Sequence, residues 1–95
     1  DDDIHPQPDG SYLVQGTVSL RDLNRKLGWN LPTDESRTLN GLITEHLETL
    51  PEPGTSLKLH GYTVEVLRTR GTAVAIAKIY PAEQPESAAS APTDG

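Results

Sequence analysis

The stretch Thr38–Thr55 reads TLNGLITEHLETLPEPGT and predicts an amphipathic helix that runs into a sharp turn. Thr38 suits the N-cap, because its hydroxyl can accept a hydrogen bond from a first-turn amide. The buried face follows at helical spacing and comprises Leu39, Leu42, Ile43, Leu47 and Leu50. Pro51 is expected to end the helix, and Gly54 suits the turn. Nothing in the stretch is typical of an active site, so we interpret it as architectural.

Gly41 lies in the first turn of this helix, where glycine costs about 1 kcal/mol relative to alanine. We expect a strand or a partner helix to approach closely at this point and to compensate for the cost. On this interpretation a side chain would crowd its surroundings, and Gly41→Leu would destabilise the domain.

Alternating apolar residues predict three strands after the helix, in SLKLHG, GYTVEVLRTRG and TAVAIAKIY. The short connection between the last two, around Gly71, favours an antiparallel hairpin. In the middle strand one face carries Tyr62, Val64 and Val66. In the last strand strict alternation gives one face with Val74 and Ile76 and another with Ala77 and Ile79.

The residues before the central stretch predict a strand and a short helix. SYLVQGTVSL is interpreted as a strand that bends or bulges at Gly16. Ser19 is placed as the N-cap of a helix at Leu20–Leu27, with Gly28 at its C-terminal end. Trp29 and Leu31 are expected to fold back over this helix. The element order β-α-α-β-β-β predicts an α+β fold, a small, mostly antiparallel sheet with two helices packed on one face.

Charge and composition divide the 95 residues into one domain with two polar ends. Residues 1–9 are assigned to an acidic linker, residues 10–80 to the domain, and residues 81–95, rich in Pro, Ala, Ser and Glu, to a disordered tail. The two ends hold seven of the 14 acidic residues and none of the eight Lys and Arg residues. The net charge of −6 therefore belongs to the ends, and the near-neutral domain lacks the basic face that nucleic-acid binding needs.

Composition also limits the chemistry. The chain has no cysteine, so it can form neither a disulfide nor a thiolate metal site. No apolar run is long enough to span a bilayer, and the start of the chain lacks the pattern of a signal peptide. Because the sequence begins with DDDIHPQPDG rather than methionine, we expect a piece of a longer protein.

The candidate chemical residues are few and scattered. His5, His46 and His60 are interpreted as surface residues, and the carboxylates of Asp1–Asp3 as a solvated tail. The remaining candidates are two pairs of charged residues, Asp34 with Glu35 and Arg68 with Arg70. The acidic pair fits a helix dipole better than a cation site, and the arginines, which could contact an anion together, fit a solvent-facing strand end. The sequence thus predicts no catalytic residue, no cofactor-binding residue and no metal ligand, and therefore no enzyme.

Three segments carry a resemblance to a known family: DGSYLVQGTVSLRDLNRKLGWNLP, RTLNGLITEHLETLPEPGTSLKLHGYTVEV and LRTRGTAVAIAKI. In this order they resemble the transporter-associated domain at the C-terminus of CorC/HlyC-type proteins. These are bacterial membrane proteins once labelled hemolysins and linked to magnesium and cobalt efflux. The resemblance covers residues 10–80 and implies a fold related to part of the FAD-binding domain of certain flavoenzymes, with no flavin role.

The resemblance implies a cytosolic domain of an inner (plasma) membrane protein that also carries a transmembrane domain and a pair of CBS domains. Its expected role is non-catalytic and regulatory, by docking on those domains or on a second copy of itself. The alternative is a sensor that binds a divalent cation, through Asp34, Glu35 or Glu52, or an adenine nucleotide. A secreted cytolysin is disfavoured, because no helix has a membrane-active pattern.

Overall fold

The computed structural model describes residues 3–82, which form five strands and two helices. In chain order these are β1 (Ile4–Pro6), β2 (Tyr12–Gln15), α1 (Leu20–Leu27), α2 (Leu39–Leu47), β3 (Ser56–Leu59), β4 (Tyr62–Arg70) and β5 (Ala73–Tyr80). All strand pairs are antiparallel, in the spatial order β1-β2-β5-β4-β3. The buried residues of both helices and of one sheet face form a single core. The predicted α+β fold is confirmed, with one strand more than expected. No helix in the described range is long and apolar enough to cross a membrane.

The additional strand, β1, corrects the assignment of residues 1–9 to a linker. It pairs with β2, where Ile4 lies opposite Val14, and Ile4 is only 6% exposed. One isoleucine between aspartates and prolines shows no alternation, so only its pairing with β2 defines the strand. In the segment assigned to a disordered tail, Pro81 and Ala82 are described, and the rest of the tail lies outside the described residues.

Helix α1 has the predicted bounds and caps. Ser19 Oγ accepts a hydrogen bond from the amide of Asp22 at 3.4 Å, and Gly28 adopts the left-handed conformation with φ 70°. The Asn24 side chain bonds both the carbonyl of Leu31 (2.8 Å) and its amide (2.9 Å), which holds Leu31 in the core. Trp29 packs between two tyrosine rings, those of Tyr12 and Tyr62.

Helix α2 begins as predicted but ends earlier. Thr38 Oγ1 accepts a hydrogen bond from the amide of Gly41 at 3.1 Å. The helix ends at Leu47, because Glu48 adopts the left-handed conformation with φ 60°. Pro51 explains this early end: in a continued helix its ring would clash with the carbonyl of Leu47, four residues before it. Leu50 is therefore half-buried in the following connection rather than on the helix.

The pairing of β4 with β5 contains two bulges that the sequence pattern does not predict. Its register passes through the pairs Val66–Ala77, Arg68–Ile76 and Thr69–Val74. One extra residue, Leu67, therefore lies on β4, and one extra residue, Ala75, lies on β5. As a result Val74 joins Ala77 in the core, whereas Ile76 is only half-buried and faces the opposite side of the sheet. Strict alternation along β5 was the wrong expectation.

Gly16 lies where β2 ends against the bulge in β5. Its amide donates a hydrogen bond to the carbonyl of Ala75 at 2.8 Å. A Cβ atom on Gly16 would lie 1.8 Å from the carbonyl oxygen of Val74, a distance that no side chain tolerates. The chain therefore requires glycine at this position. The predicted bend at Gly16 coincides with the end of the strand.

The hypothesis that Gly41 avoids a close contact is wrong. A Cβ atom there would lie 3.4 Å from Thr38 Oγ1 and 3.6 Å from Ser36 Cβ, which are ordinary van der Waals distances. The space around the first turn of α2 admits a methyl group. The glycine that marks a close approach is therefore Gly16, on the strand side of the junction.

Candidate functional site

The sheet leaves the face opposite the helices uncovered, and this face is a mixed polar surface. Its cross-strand rows include Leu13–Lys78–Glu65 and Gln15–Ile76–Arg68. No large hydrophobic side chain among the described residues is fully exposed. The uncovered face thus has the mixture of apolar stems and charged groups that surrounds non-obligate protein contacts.

A cavity of about 470 Å³ lies on this surface beside the β4–β5 hairpin. We call it the arginine corner, and its polar lining includes Arg68, Arg70, Gln15 and Thr17. The rest of the lining is small or aliphatic and contains no carboxylate. The two arginines, predicted as solvent-facing, are exposed, and the structure brings them together with two polar residues from the end of β2.

A second cavity, of about 320 Å³, brings together groups that are distant in the sequence. We call it the histidine cleft, and its titratable lining comprises Asp34, Glu35, Glu45, His46 and His60. The loop between the helices, helix α2 and the β3–β4 turn each contribute to it. His60 and Gly61 form that turn, both with positive φ, as two-residue hairpin turns require. Both histidines are exposed, but their common cleft was not apparent from the sequence.

The wall of the histidine cleft includes one buried polar group. Ser36 is 8% exposed, and its hydroxyl donates a 2.7 Å hydrogen bond to Glu45 Oε1. This bond joins the loop to α2. Within residues 3–82, no three His, Asp or Glu side chains lie close enough together to hold a metal ion. Any cation here would have to bind one or two carboxylates and keep several waters, as Mg²⁺ commonly does.

A third cavity, of about 430 Å³, lies beside the start of α1 and is lined by Ser19, Arg21, Thr33 and Arg37 among others. The nearby helix amide of Asp22 is already capped by Ser19. Arg21 and Arg37 are exposed, like the arginines of the arginine corner. The chain thus presents two separate pairs of arginines, each beside its own cavity.

Asp9 has the strongest electrostatic perturbation in the described part of the chain. Its Oδ1 accepts hydrogen bonds from the hydroxyl of Ser11 at 2.6 Å and from the amide of Ser11 at 3.0 Å, and its Oδ2 lies 3.3 Å from Lys78 Nζ. The bonds from Ser11, assisted by Lys78, lower the pKa of Asp9 to about 2. The pKa of Lys78 is raised, first by Tyr80 and then by Asp9. The group ties the β1–β2 turn to β5 and is structural.

Comparison with known proteins identifies relatives of the whole folded unit. The family model of the transporter associated domain CorC_HlyC matches residues 5–83. The chain is 35% identical over 80 residues to the inner membrane protein YfjD of Escherichia coli, and this match covers 84% of the chain and 19% of YfjD. A Haemophilus influenzae relative is 39% identical over 79 residues, which is 83% of the chain and 19% of that protein. The chain thus spans about a fifth of the length of these relatives.

Solved structures have the same fold. A functionally unknown conserved protein from Haemophilus influenzae superposes with a TM-score of 0.79 at 38% identity, over 82% of this chain and 96% of that one. A transporter associated domain from a CBS domain protein of Porphyromonas gingivalis gives 0.75 at 31% identity, over 85% and 99%.

A third domain, from a Xylella fastidiosa hemolysin in complex with Mg²⁺ and Mn²⁺, gives a TM-score of 0.74. Its 21% identity, over 85% of this chain and 99% of that one, shows the fold alone. Since the family model matches most of the chain and the relatives share more than 30% identity with it, the chain belongs to the CorC_HlyC transporter-associated domain family.

Proposed function

We propose that this chain is a non-catalytic accessory or regulatory domain of a bacterial ion-transport membrane protein and that it acts by protein–protein docking. The uncovered sheet face is the observation that carries the proposal. A two-layer domain that buries one sheet face under its helices has the other face available for a partner, and the polar composition of that face suits a reversible contact. The cavities give no catalytic arrangement a comparable claim.

The proposed partners are the other domains of the parent protein. The chain spans only 19% of its curated relatives, so most of each relative lies outside the matched region. The Porphyromonas gingivalis neighbour is described as part of a CBS domain protein, and the E. coli relative as an inner membrane protein. We therefore propose docking on a CBS pair first and on the membrane domain second, at the cytosolic side of the membrane.

The test is to add the domain back to its parent. A parent protein lacking this domain is immobilised in detergent, and the purified 95-residue chain is titrated onto it. Saturable binding, with a change in ion flux once the parent is reconstituted in vesicles, is the expected result. A flux that is the same with and without the domain, together with no binding, would contradict the proposal.

Self-association is a further part of this proposal, because the edge strands β1 and β3 each have one side without a neighbouring strand. Sedimentation equilibrium over a wide concentration range measures it directly. A mass that rises from monomer to dimer is expected, and a mass that stays at the monomer value would contradict the homodimer without affecting docking on the parent.

The histidine cleft and the cation-bound Xylella fastidiosa neighbour favour a second candidate, a sensor that binds a divalent cation directly. An amide-resolved NMR titration with Mg²⁺, followed by ATP for the nucleotide alternative, distinguishes it from docking. Saturable shifts around Asp34, Glu35 and Glu45 that disappear in an Asp34→Asn/Glu35→Gln variant would establish the sensor. Shifts confined to the acidic ends would reject it.

A further inference from the structure

We propose that the arginine corner binds the carboxylates of an extended acidic segment of a partner protein. This inference rests on the docking function proposed above and names the chemistry of the partner. It depends on three features of the structure: the bulges that orient the arginines, the absence of carboxylates from the lining, and the free edge of β4.

The bulges bring Arg68 and Arg70 to the uncovered face. Tyr62, Val64 and Val66 point into the core, and strict alternation would send both arginines to the same side. The extra residue Leu67 reverses the alternation, so that Arg68 pairs with half-buried Ile76 on the opposite face. Bulges commonly re-aim side chains at functional positions in this way. The extra residue in β5 then restores the pairing for the end of the hairpin.

The lining of the corner specifies the ligand charge. Both arginines are exposed, and neither has an ion pair within the described part of the chain. Each guanidinium presents five donors in a planar fork that matches a carboxylate. Gln15 and Thr17 add further polar groups, and no acidic side chain lines the cavity. A partner that satisfies these donors must therefore bring the negative charge itself.

The free edge of β4 specifies the shape of the ligand. Strand β3 pairs with β4 only between Tyr62 and Glu65, and the preceding Gly54 and Thr55 still bond Val66. Beyond Val66 this edge has no neighbouring strand among residues 3–82. An extended segment added there would place alternate residues opposite Arg68 and Arg70, about 7 Å apart. Acidic residues at alternate positions of the segment fit this spacing, and opposite charges across a strand pair are favourable.

The experiment compares two labelled peptides by fluorescence polarisation with the 95-residue chain. In one, Glu alternates with Thr and Val; in the other, Gln replaces each Glu. We expect the acidic peptide to bind and the amide peptide to bind about 100-fold more weakly, since each lost charged contact costs about tenfold. The double variant Arg68→Ala/Arg70→Ala is expected to show the same loss, whereas the matched double variant Arg21→Ala/Arg37→Ala keeps the affinity of the parent chain.

Equal affinity for the two peptides, or equal losses in the two double variants, would overturn the inference. So would displacement of the acidic peptide by inorganic phosphate at the concentration of the peptide, because the corner would then be a small-anion site. All four arginines are exposed, so each variant should retain the melting temperature of the parent chain. The add-back assay separates the two proposals: if Arg68→Ala/Arg70→Ala rebinds the truncated parent as well as the unmodified chain does, docking stands and the arginine corner falls.

Discussion

Gly16 and Gly41 lie on opposite sides of the junction between α2 and the sheet and have opposite constraints. The first glycine is in contact distance of a strand carbonyl, whereas the second has room for a methyl group. Their sequence contexts do not distinguish them, because the contact that restricts Gly16 comes from Val74, far along the chain.

Alanine substitutions at the two glycines should therefore change stability in opposite directions. Gly16→Ala forces a backbone shift and should cost about 3 kcal/mol, the upper end for overpacking. Gly41→Ala should gain up to about 1 kcal/mol from helix propensity, or about 5 °C in melting temperature. Thermal unfolding measures both. A destabilised Gly41→Ala variant would reinstate the crowding hypothesis for that position.

The depressed pKa of Asp9 predicts a pH dependence with a defined sign. Its folded value of about 2 lies below the ordinary 3.8, so the unfolded chain binds the proton first as pH falls. Asp9 therefore contributes stability above pH about 4 that is lost as the pH falls towards 2. The melting temperature of Asp9→Asn should lie below that of the parent chain at pH 6, and the difference should close by pH 2. A constant difference would mean that the charge of Asp9 is irrelevant.

At the scale of the elements, Asn40 joins helix α2 to two strands. Its amide donates to the carbonyl of Gly16 at 2.8 Å, and its side-chain oxygen accepts from the amide of Val74 at 2.7 Å. The second bond satisfies a backbone donor that the bulge in β5 removes from the ladder. One asparagine in the first turn of the helix thus allows the strand irregularity that shapes the arginine corner.

Asn40→Ala should destabilise the domain by about 1–3 kcal/mol, because the Val74 amide loses its acceptor. Asn40→Asp keeps an acceptor oxygen and should lose clearly less. Chemical denaturation gives both free energies, and hydrogen exchange at Val74 should accelerate only in the alanine variant. If both variants lose the same free energy, the side-chain bond is not what holds the junction.

At the scale of the whole molecule, β1 extends the folded unit into residues 1–9. Ile4→Ala should cost about 2 kcal/mol, at the low end for a buried aliphatic residue because the strand is a short edge strand. Asp3→Ala, at an exposed neighbouring position, is the matched control and should stay within about 0.5 kcal/mol. Urea unfolding measures both. An unchanged Ile4→Ala variant would restore the domain boundary at Gly10.

The sequence by itself determined the elements whose causes are local. The caps at Ser19, Gly28 and Thr38, the apolar stripes of the helices and the tight hairpin follow from spacing and backbone preference, and these elements in order define the family resemblance. It also identified Arg68 and Arg70 as a pair that could contact an anion together.

Only the tertiary structure decided the features that depend on distant partners. The strand β1, the two bulges, the need for Gly16, and the histidine cleft each arise where segments far apart in the chain meet. Periodicity reports which side of its own element a residue occupies, but it carries no information about the neighbour that the element meets. For that reason the sequence pattern described the layers of this domain, and the packing of those layers decided its surfaces.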